Sequence, residues 1–76
     1  MQKQQVQYTS ALDALLAVAK RLSLYEHQHN INSKVFFERY SKGELPDDVI
    51  FIEWANDYRH FLGLRREIEK KLENVA

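Results

Sequence analysis

A seam of large side chains runs through the last third of this chain: Phe51, Trp54, Tyr58, Phe61, Arg65, Ile68, Leu72 and Val75. Its steps alternate between three and four residues, which places every member on one stripe of a single long helix. A stripe of that length needs a partner surface along most of its course. The chain is therefore expected to fold by packing helices, and this constrains it more than any other feature.

Seventy-six residues make one domain, too few for two independent cores. The 45% hydrophobic content, with four Phe, four Tyr and one Trp, supplies material for a real core and argues against a wholly disordered chain. There is no cysteine, so disulfides, thiolate nucleophiles and sulfur-ligated zinc are all excluded. That absence fits a reducing cytoplasm. No apolar run approaches the roughly 20 residues that cross a bilayer, and no signal-peptide pattern follows the polar start.

Eleven bases balance eleven acids, but they are unevenly placed. Glu44, Asp47, Asp48, Glu53 and Asp57 lie between Gly43 and Tyr58 with no base among them. Bases gather at Lys20-Arg21 and over Arg59, Arg65, Arg66, Lys70 and Lys71. A neutral chain that is locally dipolar favours a protein partner over a phosphate backbone. DNA binding is disfavoured accordingly.

Residues 1–8 are polar and expected to be flexible. Thr9 or Ser10 can cap a first helix over about 10–28, with Leu12, Leu15, Leu16, Ala19 and Leu22 on one face, widened by Val18 and Tyr25. Three adjacent apolar columns imply that this helix meets more than one neighbour. The polar run from His27 to Asn30 interrupts it. Ser33 or Asn32 can cap a short helix over about 34–42, anchored by Val35, Phe36 and Tyr40, with Phe37 off that stripe. Gly43 is placed to take the left-handed conformation just past its end, and Pro46 blocks continuation. Asp47 and Asp48 then offer caps for a long helix over about 47–74. Gly63 inside it is either a solvent-side glycine or a point of close helix crossing.

The expected fold is all-α: one small helical domain over 1–76, an antiparallel hairpin of long helices with a short middle helix across one end. The first helix should be about two turns shorter than the last. Phe61, Arg65, Ile68, Leu72 and Val75 are then left as an oligomer interface, with a dimer expected, although a different protein could cover the same seam. Arg65, odd in such a seam, either fixes register or carries its charge out to solvent.

Chemistry is sparse. His27 and His29 do not share a helix face and His60 lies in another element, so no metal site is expected. Glu53 and Asp57 sit four apart without convergent partners, which suits a plain solvated face or an acidic docking face better than catalysis. There is no glycine-rich phosphate loop or nucleophile elbow. No catalytic residue, cofactor or metal is assigned, and the chain is not expected to be an enzyme.

Tyr25-Glu26, Ser33 with Phe36-Phe37, Gly43-Glu44, Asp48, and Phe51-Ile52-Glu53-Trp54 followed by Tyr58 form a longer pattern. It resembles a group of very small prokaryotic proteins encoded beside ribonuclease-like toxins and regarded as their antitoxins. The likeness spans roughly residues 22–72. It implies a cytoplasmic inhibitor that binds and neutralises a partner toxin. Glu44, Asp48, Glu53, Trp54 and Asp57 would be the partner-binding face, set against a basic, RNA-cutting protein. Any repression of its own promoter would have to use Lys20-Arg21 or the Arg/Lys tail in a dimer. The alternative from the residues alone is a self-associating helical protein with no toxin partner.

Overall fold

The computed structural model describes residues 2–75, with side chains described over 11–73. Three helices follow in order: α1 (Gln2–His29), α2 (Ser33–Ser41) and α3 (Val49–Val75). Among the described residues there is no strand. α1 and α3 form an antiparallel hairpin, since Arg21 meets Asp57, Tyr25 meets Trp54 and His29 meets Phe51. The short α2 packs against both near the connecting end. The all-α expectation holds.

Each helix boundary has a local cause. α1 ends where Asn30 adopts φ 59°, a left-handed conformation that asparagine tolerates better than most residues. The Asn30 and Ile31 amides both turn back to the Glu26 carbonyl. Asn32 caps α2 through its side-chain oxygen, which accepts from the Val35 amide at 2.9 Å. Of the two candidate caps it is Asn32, and Ser33 becomes the first helical residue.

α2 closes with Gly43 at φ 75°. The Gly43 amide donates to the Tyr40 carbonyl and the Glu44 amide to the Arg39 carbonyl, the paired bonds of a Schellman turn. The expected role of Gly43 is thus realised. α3 opens after Pro46, with the Asp48 carbonyl accepting from the Ile52 amide.

Two expectations about the hairpin need correction. α1 begins at Gln2, not at about 10, so residues 2–8 are drawn into the helix and Thr9 and Ser10 fall inside it. The physical reason is that this segment has no glycine or proline and is rich in Gln, which favours helix. α1 and α3 are consequently matched, at 28 and 27 residues, and the expected two-turn excess of α3 is absent.

The second correction concerns the inward face of α1. Val18 and Leu22 are buried, whereas Leu12 and Leu16 are 41% and 67% exposed. Three apolar columns cannot all face one neighbouring helix, and the outer column stays uncovered even at the α2 end, where Leu24 is 60% exposed.

The core sits at the α2 end: Leu22, Phe36, Trp54 and Ala55, rimmed by Tyr25, Ile31, Phe37, Tyr40, Leu45, Phe51, Tyr58 and Phe61. Beyond it the molecule is only two helices thick. Its Cα radius of gyration is 14.7 Å, against about 11 Å for a compact chain of this length. α3 runs unbroken through Gly63, where an added Cβ would meet nothing within 4 Å. Gly63 is the solvent-side glycine of the two readings.

Candidate protein-binding surface

The residues of the central pattern converge on Trp54. Its ring stacks on Phe36 at 3.8 Å and 4°, and on Tyr25 at 5.3 Å. His29 approaches the same ring at 5.3 Å. The indole N–H donates to the Ser33 hydroxyl at 2.9 Å, with both residues buried. The Ser33 amide, an orphan donor at the start of α2, donates to the Glu26 carboxylate at 2.8 Å. Glu26, Ser33 and Trp54 thereby bring all three helices together. Phe37, off the α2 stripe, packs on Tyr58 at 5.1 Å with the Arg59 guanidinium 5.3 Å from its ring centre. Most of the pattern is therefore architecture.

This relocates two of the expected partner-binding residues. Trp54 is fully buried and cannot touch a partner in this fold. Asp57 faces α1: Arg21 donates to both its carboxylate oxygens at 3.1 Å, and the Tyr25 hydroxyl donates to Oδ2 at 3.2 Å. The stripe that places Trp54 inward brings Asp57 to the rim of the same interface, where a base on α1 can reach it. Asp57 raises the Arg21 pKa above its ordinary value, first by the hydrogen bond and then by charge. The Tyr25 phenol is also pushed up, by burial first and then by the charge and hydrogen bond of Asp57.

Glu44, Asp48 and Glu53 remain exposed, with Asp47 beside them. They share the loop end of the molecule with three apolar side chains absent from the expected face. Val49 is 67% exposed, Ile50 41% and Ile52 40%. The legible signal for them was an apolar residue at 49 and 52, off the long stripe, spaced with Glu53 and Asn56 on one outward face. α3 presents no base before Arg59. Val49, Ile52 and Glu53 therefore share one exposed outward face of α3, while Ile50, two positions from Ile52, lies on another flank, and Glu44, Asp47 and Asp48 are exposed in the preceding loop.

The expected oligomer seam is divided. Phe61 packs against the core of the monomer, stacked on Tyr58 at 6.3 Å, so it belongs to the intramolecular seam. Arg65 carries its charge outward, half-exposed, 3.9 Å from Glu69 and with its guanidinium 5.7 Å from the Phe61 ring centre. Ile68 is half-buried and Leu72 is 63% exposed. The Val75 side chain lies outside the described residues.

Other chemistry is thin. Among the described residues no three His, Asp or Glu side chains come together as a metal site. A shallow groove of about 370 Å³ lies beside the start of α2, lined by Ala19, Leu22, Glu26, Ser33, Tyr58 and Phe61. Two of its polar groups are already paired within the fold: Ser33 with Trp54 and Glu26 with Ser33. No described helix is long and apolar enough to cross a membrane.

No family model, curated protein or solved structure matches this chain.

Proposed function

We propose that this chain is a protein-binding module, an antitoxin-like inhibitor that occupies a basic, ribonuclease-like toxin in the cytoplasm. One observation carries the reading: Val49 and Ile52, one turn apart and both exposed, share an outward face of α3 with exposed Glu53, directly after a loop that exposes Glu44, Asp47 and Asp48. Apolar anchors flanked by one sign of charge are suited to a partner whose own anchors are flanked by the other. A surface that binds RNA is cationic, so these carboxylates would compete for the place of the phosphates. Inhibition of this kind needs no catalytic residue, cofactor or metal, and the proposal assigns none. The central sequence pattern supports it by resemblance, while its buried members hold the surface in place.

DNA contact is not part of the proposal, because Arg21, one of the few bases it would use, is committed to Asp57. A second reading, a self-associating protein with no toxin partner, is favoured by the exposed leucines at the opposite end.

The test is co-expression of the tagged chain with the product of its neighbouring gene, followed by a mass measurement of what is recovered. A defined hetero-complex is expected. Ile52→Asp and Glu53→Lys should each weaken it at least tenfold, equivalent to about 1.4 kcal/mol. Recovery of this chain without the neighbour, or a complex indifferent to both substitutions, would overturn the proposal.

A further inference from the structure

The end of the hairpin away from α2 is where the monomer is least complete. α2 spans nine residues, about 14 Å of helix, alongside an α3 of about 40 Å. The third layer stops well short. Beyond it Leu12 and Leu16, one turn apart on α1, are 41% and 67% exposed, at the near end of an outer column that also leaves Leu24 60% exposed, and Leu72 on α3 is 63% exposed. Ile68 is only half-buried.

We propose that a second copy of this chain covers this end, the far ends of two hairpins packing into a four-helix bundle whose new core holds Leu12, Leu16, Ile68 and Leu72. The area supports this occupant. The chain exposes 6073 Å², whereas a compact monomer of 9.1 kDa exposes about 4,900 Å². The excess of about 1,200 Å² belongs to the elongated molecule as a whole, and it leaves room for the roughly 800 Å² per partner that a standard interface buries.

Charge identifies which end pairs with itself. From 65 to 73, Arg65, Arg66, Lys70 and Lys71 interleave with Glu67, Glu69 and Glu73. Two copies related by a two-fold axis can set these opposite signs against each other. At the loop end, Glu44, Asp47, Asp48 and Glu53 would instead meet their own copies, and like charges oppose that pairing. The far end is self-compatible and the loop end is not. In the dimer the two loop ends point outward, so the surface assigned above to a protein partner stays free on both copies. This inference stands independently of that assignment.

The experiment is sedimentation or light scattering of the full chain from about 1 to 300 μM, with circular dichroism on the same samples. A mass near twice 9.1 kDa that falls toward 9.1 kDa on dilution is expected. Leu16→Asp and Leu72→Asp should each raise the concentration of half-dissociation at least tenfold while retaining the helix signal. Glu53→Lys, at the other end, should leave it unchanged.

A mass of 9.1 kDa at every concentration overturns the inference, as does a dimer indifferent to both leucine substitutions. Should Leu72→Asp lose its helix signal, Leu16→Asp and hydrogen exchange of the unaltered protein decide. Equal exchange over 61–73 in dilute and concentrated samples would then refute it.

Discussion

Ser33→Ala isolates the bond that joins α2 to α3. The Ser33 hydroxyl accepts the Trp54 indole N–H at 2.9 Å, and neither residue has meaningful access to water. Removing the hydroxyl leaves a buried donor unpaired, a loss of about 1–3 kcal/mol. Alanine's better helix propensity returns about 0.5 kcal/mol. The Ser33 amide keeps its bond to Glu26, so the start of α2 is otherwise intact. The net destabilisation is about 1.5 kcal/mol, which for a domain of this size lowers the melting temperature by about 6–12 °C.

Thermal melts followed by circular dichroism at fixed protein concentration would measure it. Trp54 is the only tryptophan, so its fluorescence reports independently on loss of its enclosure. The decisive comparison is a double-mutant cycle with Trp54→Phe, which removes the N–H and with it the need for an acceptor. In that background Ser33→Ala should cost little. A single-mutant shift below about 2 °C, or an equal loss in both backgrounds, would refute the reasoning.

Other perturbations probe separate parts of the fold. Gly63→Ala should stabilise the protein by about 0.5–1 kcal/mol, since the added methyl meets open space and α3 is continuous there; denaturant titration would show it. Asn32→Ala removes the cap of α2 and should cost about 1 kcal/mol in the same titration, while Asn32→Asp should preserve most of it. Tyr25 should ionise above its ordinary 10.0, because burial and the adjacent Asp57 carboxylate both disfavour the phenolate. The folded-state value being the higher one, this contribution to stability is complete below pH 10.0 and is lost as pH rises through the folded value. Tyrosinate absorbance should therefore lose a component that titrates above 10.0 in Tyr25→Phe.

The sequence made the helices and their order legible because the local signals agree. The three–four alternation from Phe51 onward, Gly43 past the end of α2 and Pro46 before α3 each act within a few residues. What stayed illegible depends on separations that no local pattern encodes. The Ser33–Trp54 bond spans 21 positions and the Arg21–Asp57 pair 36. Asp57 therefore read as part of an acidic face until α1 supplied its base. Trp54, a core or interface aromatic by its spacing and assigned to the partner-binding face, proves to be the core one, enclosed by the aromatic members of the same pattern. On α1, three apolar columns are visible, but only the docking of the other helices decides that Val18 turns inward while Leu16 and Leu24 stay outward.

The most direct test of the account is a hydrogen-exchange footprint of the hetero-complex recovered with the neighbouring gene product. Protection should appear over 44–56, covering the α2–α3 loop and the first turns of α3, and should weaken in Glu53→Lys. Protection confined to 61–73, or none at the loop end, would contradict the claim that the face of Val49, Ile52 and Glu53, with the acidic loop before it, is where a partner binds.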